Sequence, residues 1–281
     1  MTVLAICYTM IIPFLPIYLL ELGVPKADVA LWSGLVFGIT FLIAGIMAPI
    51  WGKIADNKGK KRMALRAGFA IAVSYVLIGM VTDQYQLLMG RALVGFANGF
   101  YPAAMTMVSL SVDEKQVGRA LGIFQTGLIL GNVVGPFLGG AVESVVGMRP
   151  VFYISGIAVF IATLAVLFLV KEPKLNVENI ASNEQSSKPV KSTSLREDFK
   201  VVQEQPVLVR LLWIYFFMQC VIMMLQPILA LYVGDMQGTM EGAAIISGTI
   251  LSIGGLAGSL TTNIWVRLGE RRGYFRTISY C

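Results

Sequence analysis

The sequence predicts an all-α protein that crosses a lipid bilayer many times. Three observations carry that reading. Hydrophobic residues make up 56% of the 281 and charged residues 14%, with a mean hydropathy of +0.74, far from a soluble globular balance. Apolar runs of about 20 residues, the length that spans a bilayer as a helix, recur along the chain. The period-two alternation of an outer-membrane barrel is absent.

The runs fall at 2–20, 29–50, 64–82, 87–110, 118–142, 150–170, 207–233 and 240–265. The first has no basic leader and no small-residue cleavage pattern, and it continues through Pro13 and Pro16 to Leu20, so it reads as a membrane helix and not as a signal peptide. The second ends on Trp51, which fits an interfacial anchor. The fourth carries Arg91 about one turn inside its start. The fifth carries Gly131-Asn-Val-Val-Gly-Pro-Phe-Leu-Gly-Gly140, a cluster of poor helix formers. Residues 171–206 are polar, mixed in charge and rich in Ser, Asn and Lys, and read as a linker with a short surface helix near Leu195–Val202.

Charge sets the sidedness. Nineteen of the 22 Lys and Arg residues lie within 53–66, 115–119, 171–210 and 267–276, while the opposite gaps carry Glu21, Asp28, Asp83, Asp235 and Glu241. The positive-inside rule then places the N-terminus and the central linker in the cytoplasm. The net charge of +6 is therefore topology, and no nucleic-acid partner is expected. Histidine is absent, and Cys7, Cys220 and Cys281 stand singly without metal or disulfide spacing, so no metal site is expected.

The chain repeats itself. At an offset of 214, Pro13, Leu15 and Tyr18 fall on Pro227, Leu229 and Tyr232, Ser33-Gly34 on Ser247-Gly248, Ile50-Trp51 on Ile264-Trp265, and Gly59 and Arg62 on Gly273 and Arg276. A fainter offset of 87 pairs Phe37, Pro49, Gly52 and Asp56 with Phe124, Pro136, Gly139 and Glu143. Inverted three-helix repeats nested in parallel six-helix halves are a transporter architecture. Under the longer offset Met1 meets Tyr215 and Cys281 meets Ala67, which implies a fragment of a protein of roughly 390 residues and about twelve helices.

The motifs have physical readings. In Gly52-Lys-Ile-Ala-Asp56-Asn-Lys-Gly59-Lys60-Lys61-Arg62, Gly52 permits a close helix approach and Gly59 a tight turn. Asp56 sits among basic groups or faces a helix N-terminus; the bland alternative is an ordinary basic loop. Gly131, Gly135 and Gly139 recur every four residues and line one helix face for backbone-to-backbone packing, with Pro136 bending the helix and Gly140 adjacent. Arg91 either snorkels to the outer interface or serves inside the bundle, holding a carboxylate or hydrogen-bond partner.

The 52–65 loop resembles the signature loop of the major facilitator superfamily. LLMGRALVGFANG (87–99) is similar to that family's fourth-helix motif, and GNVVGPFLGG to its antiporter motif. The whole chain resembles drug:proton antiporters of the Gram-positive multidrug exporter type. The resemblance implies a major facilitator fold, with a six-helix bundle over 1–170, a cytoplasmic linker over 171–206 and a partial second bundle over 207–281.

It further implies a plasma-membrane exporter of lipophilic, often cationic compounds, working by alternating access, monomeric at full length, and driven by a proton gradient without a cofactor. The antiporter motif would seal the outer half-channel, and Arg91 would act in proton coupling or cavity electrostatics. The first, fourth and seventh helices would supply Tyr8, Asn98, Tyr101, Phe217, Gln219, Met223 and Gln226 to the substrate. No acid lies mid-helix, which departs from relatives that carry one and leaves the proton carrier open. Export of a sugar or other metabolite is the alternative within the class. An intramembrane enzyme is disfavoured by the lack of His, HExxH, GxSxG and paired mid-membrane acids.

Overall fold

The computed structural model describes residues 1–113, 116–170, 206–238 and 242–272, and every element among them is helical. They are α1 Thr2–Ile11, α2 Leu15–Glu21, α3 Lys26–Lys58, α4 Lys60–Gly79, α5 Gln84–Ala97, α6 Phe100–Leu110, α7 Val117–Val146, α8 Met148–Leu169, α9 Pro206–Gln237 and α10 Ala243–Arg272. Among the described residues there are seven membrane-length apolar spans, with α1–α2 and α5–α6 each forming one, and α10 holds a shorter apolar stretch, Ala243–Gly258. The multi-pass helical architecture expected from hydropathy is present.

Local chemistry fixes the boundaries. Between α1 and α2, Pro13 and Pro16 tighten the first span into a 3-10 turn at Ile12–Phe14, because proline supplies no N–H to the helical ladder. Asp83 starts α5 three residues before the apolar run does, its carboxylate accepting from the backbone N–H of Tyr85 (2.8 Å) and Gln86 (2.9 Å). Gly59 divides α3 from α4 at φ +96°, the turn expected of it.

The fourth span departs from expectation. It reads as one run over 87–110, yet the helix stops at Ala97 and restarts at Phe100. Asn98 is extended (ψ 155°) and Gly99 takes φ +134°, a conformation that side chains other than hydrogen rarely adopt. Hydropathy does not register a two-residue interruption, because both flanks remain apolar.

The chain divides into two compact units, Met1–Glu172 with Gln226–Cys281, and Pro173–Leu225. In the first, α7 packs on α1 and α10, α4 on α8 and α5, and α3 on α5. Its centre is aromatic and aliphatic: Phe14, Leu15, Tyr18, Tyr75, Ile78, Leu87 and Phe152 are fully buried. The Tyr18 hydroxyl donates to the Ile78 carbonyl at 3.0 Å, and its ring meets Phe152 at 5.1 Å. That bond lets a polar tip lie deep in an apolar core. Outside, Leu42, Ile46, Met89 and Ile161 stand exposed, as lipid-facing side chains do. The described part of the second unit is the α9 segment from Pro206 to Leu225, whose aromatic run stacks within itself, Trp213 on Phe217 at 5.9 Å. The short helix expected near Leu195–Val202 lies outside the described residues, as do Gly273 and Arg276 of the second repeat.

Candidate binding cavity and the motifs around it

A cavity of about 290 Å³ opens among the helices of the first unit. Tyr8 on α1, Asn98 at the break after α5, and Tyr101 on α6 all line it, as the sequence reading grouped them. Thr40, Tyr75 and Asn132 complete its polar lining, and Leu4, Ile71, Val94, Phe100 and Val159 its apolar wall. These additional polar residues come from α3, α4 and α7, helices that the sequence reading did not assign to the site. Asn132 carried a usable signal, being the one amide inside the glycine motif; Tyr75 and Thr40 carried none.

The polar groups are placed by the chain itself. The Asn98 side-chain oxygen accepts from the Gly99 N–H at 2.8 Å, which turns its amide nitrogen outward from that cap. The Tyr101 hydroxyl accepts from the Gln125 amide at 3.0 Å, and its ring lies 5.7 Å from Phe124. No acid lines the cavity among the described residues. Its chemistry is that of a mostly apolar pocket with a few hydroxyl and amide groups to orient a guest.

Arg91 does not snorkel. It is 1% exposed, packed behind the cavity wall, because Asp83 starts α5 early enough to draw the arginine two turns inside. Its Nε and Nη1 have no hydrogen-bond partner, its guanidinium lies 5.9 Å from the Phe37 ring, and Tyr8 and Tyr75 are near enough to interact with it electrostatically. The Thr40 hydroxyl donates to the Arg91 carbonyl at 3.2 Å. The carboxylate partner that the sequence left open is not found among the described residues. A cation of this kind costs several kcal/mol to bury.

The glycine motif is packed as its spacing implies. A Cβ built on Gly131, Gly135 or Gly139 would run into α1: respectively Ala5 and the Thr2 carbonyl, Thr9 and the Ile6 carbonyl, and the Met10 carbonyl with the Phe14 ring. The Thr9 hydroxyl is shared between the Ala5 carbonyl of its own helix at 2.8 Å and the Gly131 carbonyl across that contact at 3.1 Å. Gly140 faces the other way, against the Ala244 carbonyl and Ile245 of α10, and the Pro136 carbonyl meets Gly248. The motif thus serves two neighbours with two faces.

The loop motif is less uniform. Asp56 pairs with Lys60 one turn on, across the α3–α4 junction, where Lys60 is the first residue of α4. Side-chain exposure of 69% at Asp56 leaves that pair weakly stabilising, at most about 1 kcal/mol. Gly52 does not mediate a close approach here: nothing lies within 4 Å of a Cβ built on it. Arg62 is exposed. Lys61 donates to the Leu167 carbonyl at 2.8 Å, capping the C-terminal turn of α8 where a cation opposes the helix dipole. Trp51, expected as an interfacial anchor, has a tertiary partner, its indole N–H donating to the Phe96 carbonyl at 2.8 Å.

Four further residues were expected at the substrate: Phe217, Gln219, Met223 and Gln226. Phe217, Gln219 and Met223 belong to the second unit, and Phe217 is exposed there. The Gln226 side chain lies outside the described residues. No group of three or more His, Cys, Asp or Glu that could hold a metal occurs among the described residues.

A helical multi-pass membrane bundle with a small-residue helix face beside an apolar cavity defines a transporter-like architecture. The sequence profile of the Major Facilitator Superfamily matches residues 1–281, and the chain belongs to that family. It is similar to the "Multidrug resistance protein MdtG" of Proteus mirabilis (strain HI4320), 37% identical over 267 residues covering 95% of this chain and 64% of that protein. It is also 37% identical over 267 residues to the protein of the same name from Klebsiella pneumoniae (strain 342), covering 95% of this chain and 62% of that one. The chain therefore spans less than two thirds of the length of these relatives. Among solved structures, a bacterial homolog of the human lysosomal transporter Spinster aligns with a TM-score of 0.72 at 19% identity, over 96% of this chain and 59% of that one. A D-xylose–proton symporter aligns with a TM-score of 0.70 at 12% identity, over 96% and 67%. These structural likenesses establish the fold.

Proposed function

We propose that the protein is a multidrug exporter of the plasma membrane, moving lipophilic compounds, often cations, outward by alternating access in exchange for protons. The observation that carries this reading is the cavity itself, where Tyr8, Asn98 and Tyr101 meet across two membrane spans with an apolar wall between them. Aromatic faces and amides suit guests of varied shape, and cations gain from ring faces without a fixed acid. Kinship with proteins named for multidrug resistance supports the substrate class.

In this reading residues 1–170 form one six-helix bundle, 171–206 a cytoplasmic linker, and 207–281 belong to a second bundle whose Phe217, Gln219, Met223 and Gln226 complete the substrate path. Gly52, Asp56, Gly59, Lys60 and Arg62 organise the cytoplasmic junction, and Arg91 couples proton binding to cavity electrostatics. The glycine motif closes the outer path. Unpartnered guanidinium nitrogens behind the cavity support the Arg91 role, since an unsatisfied buried cation responds strongly to any charge entering nearby.

The test is efflux of a fluorescent lipophilic dye from energised cells expressing the complete gene. Efflux should stop when a protonophore collapses the gradient while ATP is maintained. Efflux that continues without the gradient would reject proton coupling, and absence of dye efflux would reject the substrate class.

A further inference from the structure

Interrupting a membrane helix leaves its last carbonyls without N–H donors, and lipid offers none. The end of α5 meets this problem at Phe96, Ala97 and Asn98. The Phe96 carbonyl accepts from Trp51 Nε1 at 2.8 Å, the Ala97 carbonyl from Arg66 Nη2 at 3.3 Å, and the Asn98 carbonyl from the same Nη2 at 3.5 Å. The Arg66 guanidinium also lies over the Trp51 ring, 3.5 Å from its centroid, and that ring stands edge-on to Phe96 at 5.2 Å. One stacked pair of side chains thus holds three carbonyls at the point where the chain turns.

The two residues flank the cytoplasmic loop motif. Trp51 precedes Gly52 on α3, and Arg66 follows Arg62 on α4. The turn they hold carries Asn98, and Tyr101 lies two residues beyond Gly99 in the first turn of α6, both on the cavity wall. We propose that Trp51 and Arg66 are positioning residues for the cavity: together they latch the broken fourth span, fix where Asn98 and Tyr101 stand, and tie that wall to the 52–62 loop. The assignment rests on the cavity being the substrate site. A displacement of the loop that draws the stacked pair away frees the carbonyls of α5, and α6 then pivots at Gly99, where φ +134° is open to glycine. The guanidinium suits the task because its planar face covers the indole while its edge reaches the carbonyls; an ammonium presents a point charge with no such plane.

The test uses Ala103→Cys as reporter in the intact protein with Cys7, Cys220 and Cys281 changed to alanine. Ala103 on α6 is 5% exposed and buried in one cluster with Ala64 and Ala67 of α4. The rate of its alkylation by N-ethylmaleimide in liposomes reads how often α6 leaves α4. W51F, which keeps a ring and removes the N–H, and R66Q should each raise that rate about tenfold, equivalent to about 1.4 kcal/mol. R66K should not restore it, and the double variant should exceed the faster single variant by less than about threefold, as two halves of one latch. Both single variants should also weaken the apparent affinity for a transported dye at least about fivefold with the maximal rate largely kept. Should R66Q fail to fold, W51F carries the test.

Unchanged alkylation in W51F and in R66K overturns the latch whatever the dye does. Faster alkylation with unaltered dye affinity overturns the positioning role. If the parent protein transports no dye yet alkylation responds as expected, the latch stands and the exporter reading falls.

Discussion

Gly139→Ala adds one methyl group to α7, and the structure gives its consequence a sign. The new Cβ would sit 2.8 Å from Phe14 Cε2 and 3.0 Å from the Met10 carbonyl carbon, where normal carbon contacts lie at about 3.5–4.0 Å. Backbone cannot rotate out of the way as a side-chain tip can, so α1 and α7 must part by roughly 1 Å. A gap of that size forfeits between a quarter and a half of each atom pair's attraction of about 0.1–0.2 kcal/mol. Over about thirty pairs along the interface the loss is about 2 kcal/mol. The better helix propensity of alanine returns about 1 kcal/mol, leaving a net destabilisation of about 1 kcal/mol.

Gly122 on the same helix supplies the control, because nothing lies within 4 Å of its Cβ position. Gly122→Ala should gain helix propensity without a clash and stabilise by up to about 1 kcal/mol. Melting midpoints of the two purified variants in one detergent should therefore move in opposite directions. A midpoint for Gly139→Ala at or above that of Gly122→Ala would refute the claim that the glycine face is a tight backbone contact.

Arg91→Met replaces an unpartnered buried cation with an apolar side chain of similar length, so the melting midpoint should rise, by an amount corresponding to about 1–4 kcal/mol, while dye efflux is lost. A fall in the midpoint would show that the guanidinium is satisfied in the folded protein. Tyr18→Phe deletes the hydroxyl that donates to the Ile78 carbonyl, which keeps the Val81 N–H as a donor at 3.3 Å, so it should destabilise by about 0.5–1.5 kcal/mol in the same melting assay; an unchanged midpoint would mean the bond contributes nothing.

Hydropathy alone placed seven of the eight expected spans, because lipid forces each crossing to be a long apolar helix, while the eighth, expected over 240–265, shows among the described residues only the shorter apolar stretch Ala243–Gly258. The four-residue spacing of Gly131, Gly135 and Gly139 likewise announced a packing face, and that face meets α1. What the spacing could not say is which neighbour each face would meet; Gly140, next in sequence to Gly139, serves α10 instead. The break at Asn98-Gly99 was invisible to a window average, since two residues hardly change the mean of twenty. Arg91 was left between a snorkeller and a group inside the bundle for a related reason. Its depth depends on where α5 starts, and that was decided by the Asp83 cap and not by the apolar run. Tyr75 and Thr40 reach the cavity through tertiary packing of α4 and α3, and one-dimensional patterns hold no record of that.

The two faces of α7 differ in a way that bears on the proposed cycle. Toward α1, the Thr9 hydroxyl spans the contact to the Gly131 carbonyl, and the Thr9 and Phe14 side chains fit into the recesses at Gly135 and Gly139. Sliding along that face would lift each side chain over a ridge and break a hydrogen bond in a medium without replacement donors. Toward α10, Gly140 faces the Ala244 carbonyl, Gly248 faces the Pro136 carbonyl, and Gly255 faces Val133, so much of the contact is backbone surface with little relief. Such a surface gives up few interlocking contacts when one helix shifts against the other. In the proposed alternating-access cycle α1 and α7 would therefore travel as one body, with the displacement taken up where α7 meets α10.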